Sequence, residues 1–172
     1  MMAMNLIEPC CTQRHWPRVR NQLGKDGTVF FHGYGDLSLT ELLPVILVRY
    51  DEVEMTLVTP YLPDMTVETL IYWLRRRLPK MDGTGNINVL RHLTLISDFS
   101  KRRSPMAASW MEDNPFPERL ALKNIQQNDT AILLPDIAVY GNVNLQYGGH
   151  FTAIATKNAG LIENLRSVYA GL

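Results

Sequence analysis

The stretch from Asp129 to Asn158 restricts the fold of this chain more than any other part of the sequence. It contains three short apolar runs, the first two divided by Pro-Asp and the last preceded by Gly-Gly. The runs cover residues 130–134, 137–140 and 151–156. Short apolar runs separated by proline, aspartate and glycine are typical of neighbouring β-strands. We therefore predict three adjacent strands here.

The loop Gly141-Asn142-Val143-Asn144 joins the second and third of these runs and is the first candidate site. Glycine permits a tight backbone, and the amides of Asn142 and Asn144 can bind backbone groups or a ligand. A structural turn is an equal alternative, because asparagine tolerates left-handed geometry. His150 follows and could hold an anion or exchange protons. Its alternative role is that of a hydrogen-bonded residue at a strand edge.

The rest of the sequence alternates between strand and helix patterns. Strands are predicted at residues 28–32, 55–59, 93–97 and 120–125, with helices at 39–50, around 67–78, near Trp110 and around 161–169. The order β-α-β-α-β favours a parallel sheet with crossover helices, and Asn158 is placed to cap the last helix. The predicted fold class is α/β, with a mixed, mostly parallel sheet flanked by helices, a C-terminal β-hairpin and a closing helix.

The chain has 172 residues, of which 46% are hydrophobic and 20% charged, as expected for one globular domain. Residues 1–26 contain Pro9 and Pro17, so we predict an irregular N-terminal arm or a short helix that caps the core, anchored by Trp16. Residues 27–172 are predicted to form a single α/β domain.

Positive and negative side chains balance at 17 each, so the overall charge does not draw the chain to nucleic acid or anionic lipid. Any such contact must be local. Lys101, Arg102 and Arg103 are candidate phosphate contacts. A second cluster, Arg75-Arg76-Arg77 with Lys80, is better explained as cations that complement the C-terminal dipole of a helix.

Several classes of protein are not supported by the sequence. The start lacks the pattern of a secretory signal, and no apolar run approaches a membrane span. The two cysteines, Cys10 and Cys11, are adjacent, which favours a reducing cytoplasm. We predict no metal and no cofactor, because metal-ligand spacing is missing and Gly33-x-Gly35 matches only part of a dinucleotide fingerprint. The G-x-S-x-G elbow of serine hydrolases is also missing.

The last third of the chain resembles the phospholipase D-like superfamily, in which a strand with the motif H-x-K-x4-D is followed by a G-S-x-N-like tip. TAILLPD is similar to that strand with its terminal Asp136, and residues 141–144 are similar to the tip. Counting back from Asp136, the family's nucleophilic histidine falls on Asp129 and its lysine on Ala131. The histidine attacks phosphorus and the lysine stabilises phosphate charge. The resemblance therefore implies a degenerate member that is not an enzyme of the family type.

The resemblance begins near residue 28 and implies a non-catalytic module that binds nucleic acid or a protein partner. Single-copy relatives pair their motifs across a two-fold axis, so a homodimer is implied as well. The whole sequence also looks like uncharacterised proteins of bacterial conjugative elements, which places it in a mobile-element context. The alternative is a divergent phosphodiesterase or nuclease in which His150, with His32, replaces the missing groups.

Overall fold

The computed structural model describes residues 4–7, 12–24, 26–34, 39–142 and 150–172. The strands in this part of the chain are β1 (Met4–Ile7), β2 (Thr28–Tyr34), β3 (Val53–Val58), β4 (Arg77–Pro79), β5 (Asn86–Asn88), β6 (Leu90–Ser97), β7 (Leu120–Asn124), β8 (Thr130–Leu133), β9 (Ala138–Asn142) and β10 (His150–Thr156). The helices are α1 (Thr12–Leu23), α2 (Leu39–Leu47), α3 (Asp64–Arg75), α4 (Pro105–Glu112) and α5 (Ala159–Ala170).

Eight of these strands form one sheet in the order β1-β2-β10-β9-β8-β3-β6-β7. The pairs β1–β2, β3–β6 and β6–β7 are parallel, and the other four pairs are antiparallel. Following these pairings across the sheet, β8 and β10 run one way and the other six strands run the opposite way. The prediction of an α/β fold with a mixed, mostly parallel sheet is confirmed.

The three adjacent strands predicted from the apolar runs are β8, β9 and β10. Ile132 of β8 pairs with Val139 of β9, and Tyr140 of β9 pairs with Ile154 of β10. The Pro-Asp turn between β8 and β9 is closed by a backbone hydrogen bond from Leu134 N to Ile137 O of 2.9 Å. Proline and aspartate end the first strand where the sequence pattern places its end.

The closing helix α5 begins at the predicted cap. The side-chain oxygen of Asn158 accepts a hydrogen bond of 3.1 Å from the backbone N–H of Leu161. This bond satisfies one of the N–H groups that the first turn of a helix leaves unpaired.

The two faces of the sheet bury different cores. One face packs against α1, α2, α3 and α4 through a large cluster that includes Leu57, Leu95 and Ile132. The other face carries α5, whose Ile162 and Tyr169 belong to a smaller cluster. Burying a leucine or isoleucine side chain stabilises a fold by roughly 1.5–3 kcal/mol, so the larger cluster supplies most of the driving force.

The N-terminal region differs from the irregular arm predicted for residues 1–26. Its described residues include β1, which pairs in parallel with β2, and the 12-residue helix α1. The alternative of a helix that caps the core describes α1 correctly, since Trp16 is 3% exposed and Val19 and Leu23 are also buried. The spacing of these three residues places them on one side of a helix, a signal that the nearby prolines concealed.

The end of the predicted helix around residues 67–78 also differs from the prediction. Helix α3 ends at Arg75, so Leu78 lies in β4, which pairs with β5 in a small separate hairpin. The turn of this hairpin contains Gly83 and Gly85, whose φ angles are 71° and 138°. Glycine adopts such positive φ angles without steric cost.

Among the described residues, the helices are too short or too polar to cross a membrane.

Candidate functional site

Most of the predicted site residues lie along one edge of the large sheet. Because six strands share a direction, the C-terminal ends of β1, β2, β3, β6, β7 and β9 meet there, together with the starts of β8 and β10. We call this the carboxyl edge. Ligands of open α/β sheets commonly bind outside the carboxyl ends of the strands, so a binding site is expected at this edge.

A row of residues across three strands brings part of the predicted site together. His32 of β2 pairs with Thr152 of β10, and Thr152 pairs in turn with Asn142 of β9. His150 is two residues before Thr152 on β10. The register therefore groups three predicted site residues, His32, Asn142 and His150, at the carboxyl edge. Asn144, the fourth member, lies outside the described residues.

Gly141 fixes the approach of β9 to β10 beside this row. Its φ angle is 145°, which side-chain-bearing residues rarely adopt. A Cβ atom at this position would lie 2.3 Å from the backbone oxygen of Thr152 and 2.8 Å from the Cα of Ala153. The glycine is therefore required by close backbone contact within β9. The prediction that Gly141 and Asn142 belong to a loop is wrong, because both residues extend the strand and pair with β10. Asn142 next to it is exposed.

The predicted basic residues Lys101, Arg102 and Arg103 form an exposed turn after β6, which we call the basic turn. The side chain of Asp98 accepts a hydrogen bond of 2.9 Å from Ser100 N, and Ser100 O accepts bonds from the backbone N–H groups of Arg103 and Ser104. Ser104 is fully buried and accepts a bond of 2.8 Å from Leu62 N. The backbone of the turn is thus attached to the loop after β3.

The three cations of the basic turn have different surroundings. Lys101 Nζ lies 3.4 Å from a carboxylate oxygen of Glu112, and both side chains are largely exposed. Exposed ion pairs of this kind contribute about 0–1 kcal/mol, so Lys101 remains available to another anion. The Arg103 guanidinium lies 6.0 Å from the ring centroid of Tyr61. Arg102 makes no hydrogen bond or ion pair with the described residues.

A polar cleft of about 230 Å³ lies beside the basic turn. Its lining residues are Pro60, Asp98, Arg103, Gln126, Gln127 and Asn128. Amide side chains offer both donors and acceptors, so the cleft can bind groups that present a mixed hydrogen-bonding pattern. The three amides were not among the predicted site residues, although they are consecutive in the sequence and lie between two predicted strands.

Two strands, β8 and β3, lie between the end of the histidine and asparagine row at β9 and the basic turn after β6. The three spacings between neighbouring strands from β9 to β6 give a distance of roughly 14 Å. The predicted residues therefore share one edge, but they form two groups along it instead of a single constellation.

Asp129 and Ala131 are the residues that the sequence resemblance aligns with the catalytic histidine and lysine of the phospholipase D-like superfamily. Ala131 is fully buried, and Asp129 accepts a hydrogen bond of 3.1 Å from the hydroxyl of Tyr140. Burial, helped by Asp129, raises the pKa of Tyr140 above its ordinary value. Burial also raises the pKa of Tyr169 to about 12, with the charges of Tyr140 and Asp129 adding to the effect. A neutral tyrosine pair beside a carboxylate offers no cation for a phosphate.

The second basic cluster lies at the opposite edge of the sheet, where α3 ends and β6 begins. Arg75 is in the last turn of α3, as the helix-dipole explanation requires. Arg76 donates a hydrogen bond of 2.6 Å to the hydroxyl of Tyr72 and lies over its ring. Arg77 bonds to the side chain of Asn88 at 3.3 Å. These contacts give the cluster structural roles.

A metal centre is not apparent in the part of the chain that the structure describes. No group of three or more histidine, cysteine, aspartate or glutamate side chains is arranged there to hold an ion.

Comparisons with known proteins extend only to the fold. No family model matches the chain, and no curated protein matches it. Among solved structures, the chain is similar to TrmBL2, an archaeal chromatin protein with a novel mode of DNA binding, with a TM-score of 0.50 and 10% sequence identity. The match covers 92% of this chain but 56% of that chain, so this chain spans just over half of the TrmBL2 chain. At this identity the likeness shows a shared fold.

Proposed function

We propose that this chain is a non-catalytic phospholipase D-like domain that contacts nucleic acid through the carboxyl edge of its sheet. The observation that carries the proposal is the basic turn, where three consecutive cations are exposed beside a cleft rich in amides. Cations that meet the phosphate backbone provide affinity, and amides can read base edges. The two kinds of group lie side by side here.

The assignment to the phospholipase D-like superfamily is supported by the C-terminal strands. The resemblance requires the strand that ends in Asp136 to lie beside the strand that leads to the tip, with the closing helix against them. Ile132 and Val139 are direct partners across β8 and β9. Arg166 of α5 donates a hydrogen bond of 2.8 Å to the carbonyl oxygen of Leu134, at the end of β8.

The non-catalytic character follows from the chemistry at Asp129 and Ala131. A carboxylate in place of the histidine repels an attacking or bound phosphate, and a buried methyl group cannot stabilise the charge that develops on it. Nucleic acid is favoured over a protein partner because this edge offers exposed positive charge together with amide side chains. TrmBL2 binds DNA, which makes DNA the first ligand to test.

The proposal can be tested by fluorescence anisotropy with labelled duplex DNA, single-stranded DNA and RNA over a range of salt concentrations. Changing Lys101, Arg102 and Arg103 together to alanine should weaken binding at least about tenfold. It should also reduce the salt dependence by roughly 0.9 in log–log slope for each phosphate group that the protein no longer neutralises.

The matched control removes the same charge from the other edge, by changing Arg75, Arg77 and Lys80 together to alanine. This variant should bind as the unchanged protein does. Equal losses in the two triple variants would indicate attraction by net charge alone and would contradict the proposal. If the variant with Lys101, Arg102 and Arg103 changed to alanine kept its affinity for nucleic acid, the basic turn would be excluded as the contact surface. If the unchanged protein bound another protein but no nucleic acid, a protein partner would be favoured instead.

The resemblance also supports two further proposals, one about the oligomeric state and one about the biological setting. A homodimer would pair two copies of the motif region, and light scattering of the purified protein should give twice the mass of the chain. A nucleic-acid-binding domain would suit the conjugative elements whose uncharacterised proteins this sequence resembles.

A divergent phosphodiesterase is the second candidate function, and the register of the sheet is the observation that favours it. His32 and His150 lie on the paired strands β2 and β10, within two residues of register of each other. Turnover of bis(p-nitrophenyl) phosphate that disappears in His150→Ala and persists in His92→Ala would support this candidate. Equal turnover in both variants, or none in the unchanged protein, would exclude it.

A further inference from the structure

A pocket at the edge of the sheet opposite the carboxyl edge gathers cations from three distant parts of the sequence. The starts of β2, β3, β6 and β9 and the ends of β8 and β10 meet at this edge, which we call the amino edge. The pocket has a volume of about 230 Å³. Its polar lining consists of Arg20 of α1, Arg49 and Tyr50 after α2, Asp136 between β8 and β9, and Lys157 after β10.

The floor and walls of the pocket are held by the main core. Trp16, which also lines the pocket, is 3% exposed, and Ile46 and Ile137 are buried beside it. The backbone of Lys157 is fixed because its N–H donates a hydrogen bond of 2.9 Å to Gly27 O. The apolar part of the pocket is therefore formed by the packed core, and the polar residues lie in α1 or on connections that begin or end at packed elements.

The charges in the pocket are unbalanced. Three cations face one carboxylate, Asp136, and that carboxylate already accepts a hydrogen bond from the hydroxyl of Tyr50. Arg20, Arg49 and Lys157 make no side-chain hydrogen bond or ion pair with any residue in the described ranges. Like charges that converge on a concave surface repel one another and concentrate an attractive field for an anion. Within the described ranges, the fold therefore maintains this repulsion without an anionic partner for these three cations.

We infer that this pocket binds a phosphate monoester. The dianion matches the formal excess of two positive charges that remains when Asp136 is counted against the three cations. Guanidinium groups bind phosphate oxygens in pairs of parallel hydrogen bonds, and an ammonium group adds a point charge. A pocket of this volume admits one phosphate group and a small attached group, while a continuous duplex is too wide to enter.

Asp136 and Tyr50 suggest how the rest of the ligand is oriented. A carboxylate repels phosphate, so the phosphate should lie towards Arg20, Arg49 and Lys157. Asp136 can then accept a hydrogen bond from a hydroxyl group of the attached part, such as a sugar. The attached part can come from two sources, a free phosphorylated small molecule or the 5′-phosphate at the end of a nucleic acid strand.

The experiment is isothermal titration of the full chain at constant ionic strength. The probes are inorganic phosphate, adenosine monophosphate with adenosine as its uncharged counterpart, and a single-stranded oligonucleotide with or without a 5′-phosphate. Adenosine monophosphate should bind and adenosine should not. Binding of the oligonucleotide that requires its 5′-phosphate would identify a strand end as the source, and binding of the mononucleotide alone would identify a free small molecule.

Variants connect the binding to the pocket. Arg49→Gln and Lys157→Gln should each weaken binding of adenosine monophosphate at least about tenfold, the change expected when one charge-assisted hydrogen bond disappears. Asp136→Asn should strengthen it by removing the negative charge. Arg75→Gln, which changes an exposed cation outside the pocket, should bind as the unchanged protein does. Equal affinities for Arg49→Gln and Arg75→Gln, or no heat with any phosphate probe, would overturn the inference.

The result is separable from the proposed nucleic-acid contact at the other edge. The variant with Lys101, Arg102 and Arg103 changed to alanine should keep its affinity for adenosine monophosphate. If that variant no longer bound adenosine monophosphate, the phosphate would be binding at the basic turn and the pocket would be excluded.

Discussion

The basic turn at the carboxyl edge and the pocket at the amino edge each contain three cations, but the fold holds the two sets in different ways. At the carboxyl edge, Lys101, Arg102 and Arg103 are consecutive residues of one exposed turn. At the amino edge, Arg20, Arg49 and Lys157 come from separate elements and surround a pocket with an aromatic floor. A row of cations on an open surface suits a ligand with repeated charges, while a cationic pocket suits one compact anion. The arrangement of charge therefore distinguishes the edges better than its amount.

The largest expected effect is at the carboxyl edge and concerns Gly141. The change Gly141→Ala should lower the free energy of unfolding by about 3 kcal/mol or more, because the new Cβ atom meets backbone and the φ angle is unfavourable. Urea unfolding followed by circular dichroism measures the loss. Gly171→Ala is the matched control, since a Cβ atom there has no heavy atom within 4 Å. A loss below about 1 kcal/mol for Gly141→Ala would show that β9 and β10 separate at little cost.

The next effect is at the amino edge, where Arg119 connects α3 to the sheet. Its guanidinium donates one hydrogen bond of 3.2 Å to Leu90 O and another to Leu74 O. Burial lowers the pKa of Arg119, and the charge of Arg77 adds to this effect. Arg119→Met should cost about 2 kcal/mol, because two carbonyl groups lose a charged donor.

Arg75→Met is the control for this second change and should stay within about 0.5 kcal/mol of the unchanged protein in the same urea assay, because Arg75 is exposed. If the two variants had equal free energies of unfolding, the hydrogen bonds of Arg119 would not contribute to stability. The attachment of α3 to β6 would then depend on apolar packing alone.

The smallest effect appears only in alkaline solution and concerns Tyr169, which packs on the sheet face near Asp129. Its pKa is raised from the ordinary 10.0 to about 12. Its contribution to stability is therefore complete below pH 10.0 and is lost as the pH rises through about 12. Tyr169→Phe should change stability by less than about 1 kcal/mol at neutral pH and should flatten the decline in this alkaline window. Thermal unfolding at a series of pH values measures this loss of stability. If Tyr169→Phe lost stability over the same pH range as the unchanged protein, other tyrosines would be responsible for the loss.

The sequence predicts the elements of this fold well where the local pattern decides the structure. The apolar runs of β8, β9 and β10, the Pro-Asp turn and the cap at Asn158 are all local signals, and each agrees with the structure. Strand β1 has no comparable signal, since four residues become a strand only because β2 offers a parallel partner. The order of the sheet is also non-local, because the sequence does not show that β10 lies between β2 and β9.

The same distinction applies to the candidate sites. The basic turn is visible in the sequence because its three cations are consecutive, and its exposure agrees with the predicted role as a contact surface. Arg20, Arg49 and Lys157 are separated by long stretches of chain, so only the packing of α1, α2 and the end of β10 reveals that they share a pocket. The positions of His32 and His150 within two residues of register likewise depend on strand pairing.

The location of β10 has a consequence for how the protein is made. In the described sheet, β2 has only β1 and β10 as neighbours, and the hydroxyls of Thr28 and Thr156, which are 128 residues apart, lie 2.8 Å from each other. Strands that leave the ribosome early must therefore wait for His150–Thr156 before they join the sheet. Such long-range closure slows folding and leaves unpaired strand edges open to wrong partners in the meantime. In a nascent chain halted before residue 150, β1 and β2 would form a ribbon without hydrogen bonds to the rest of the described sheet, and its open strand edge would be a target for chaperones.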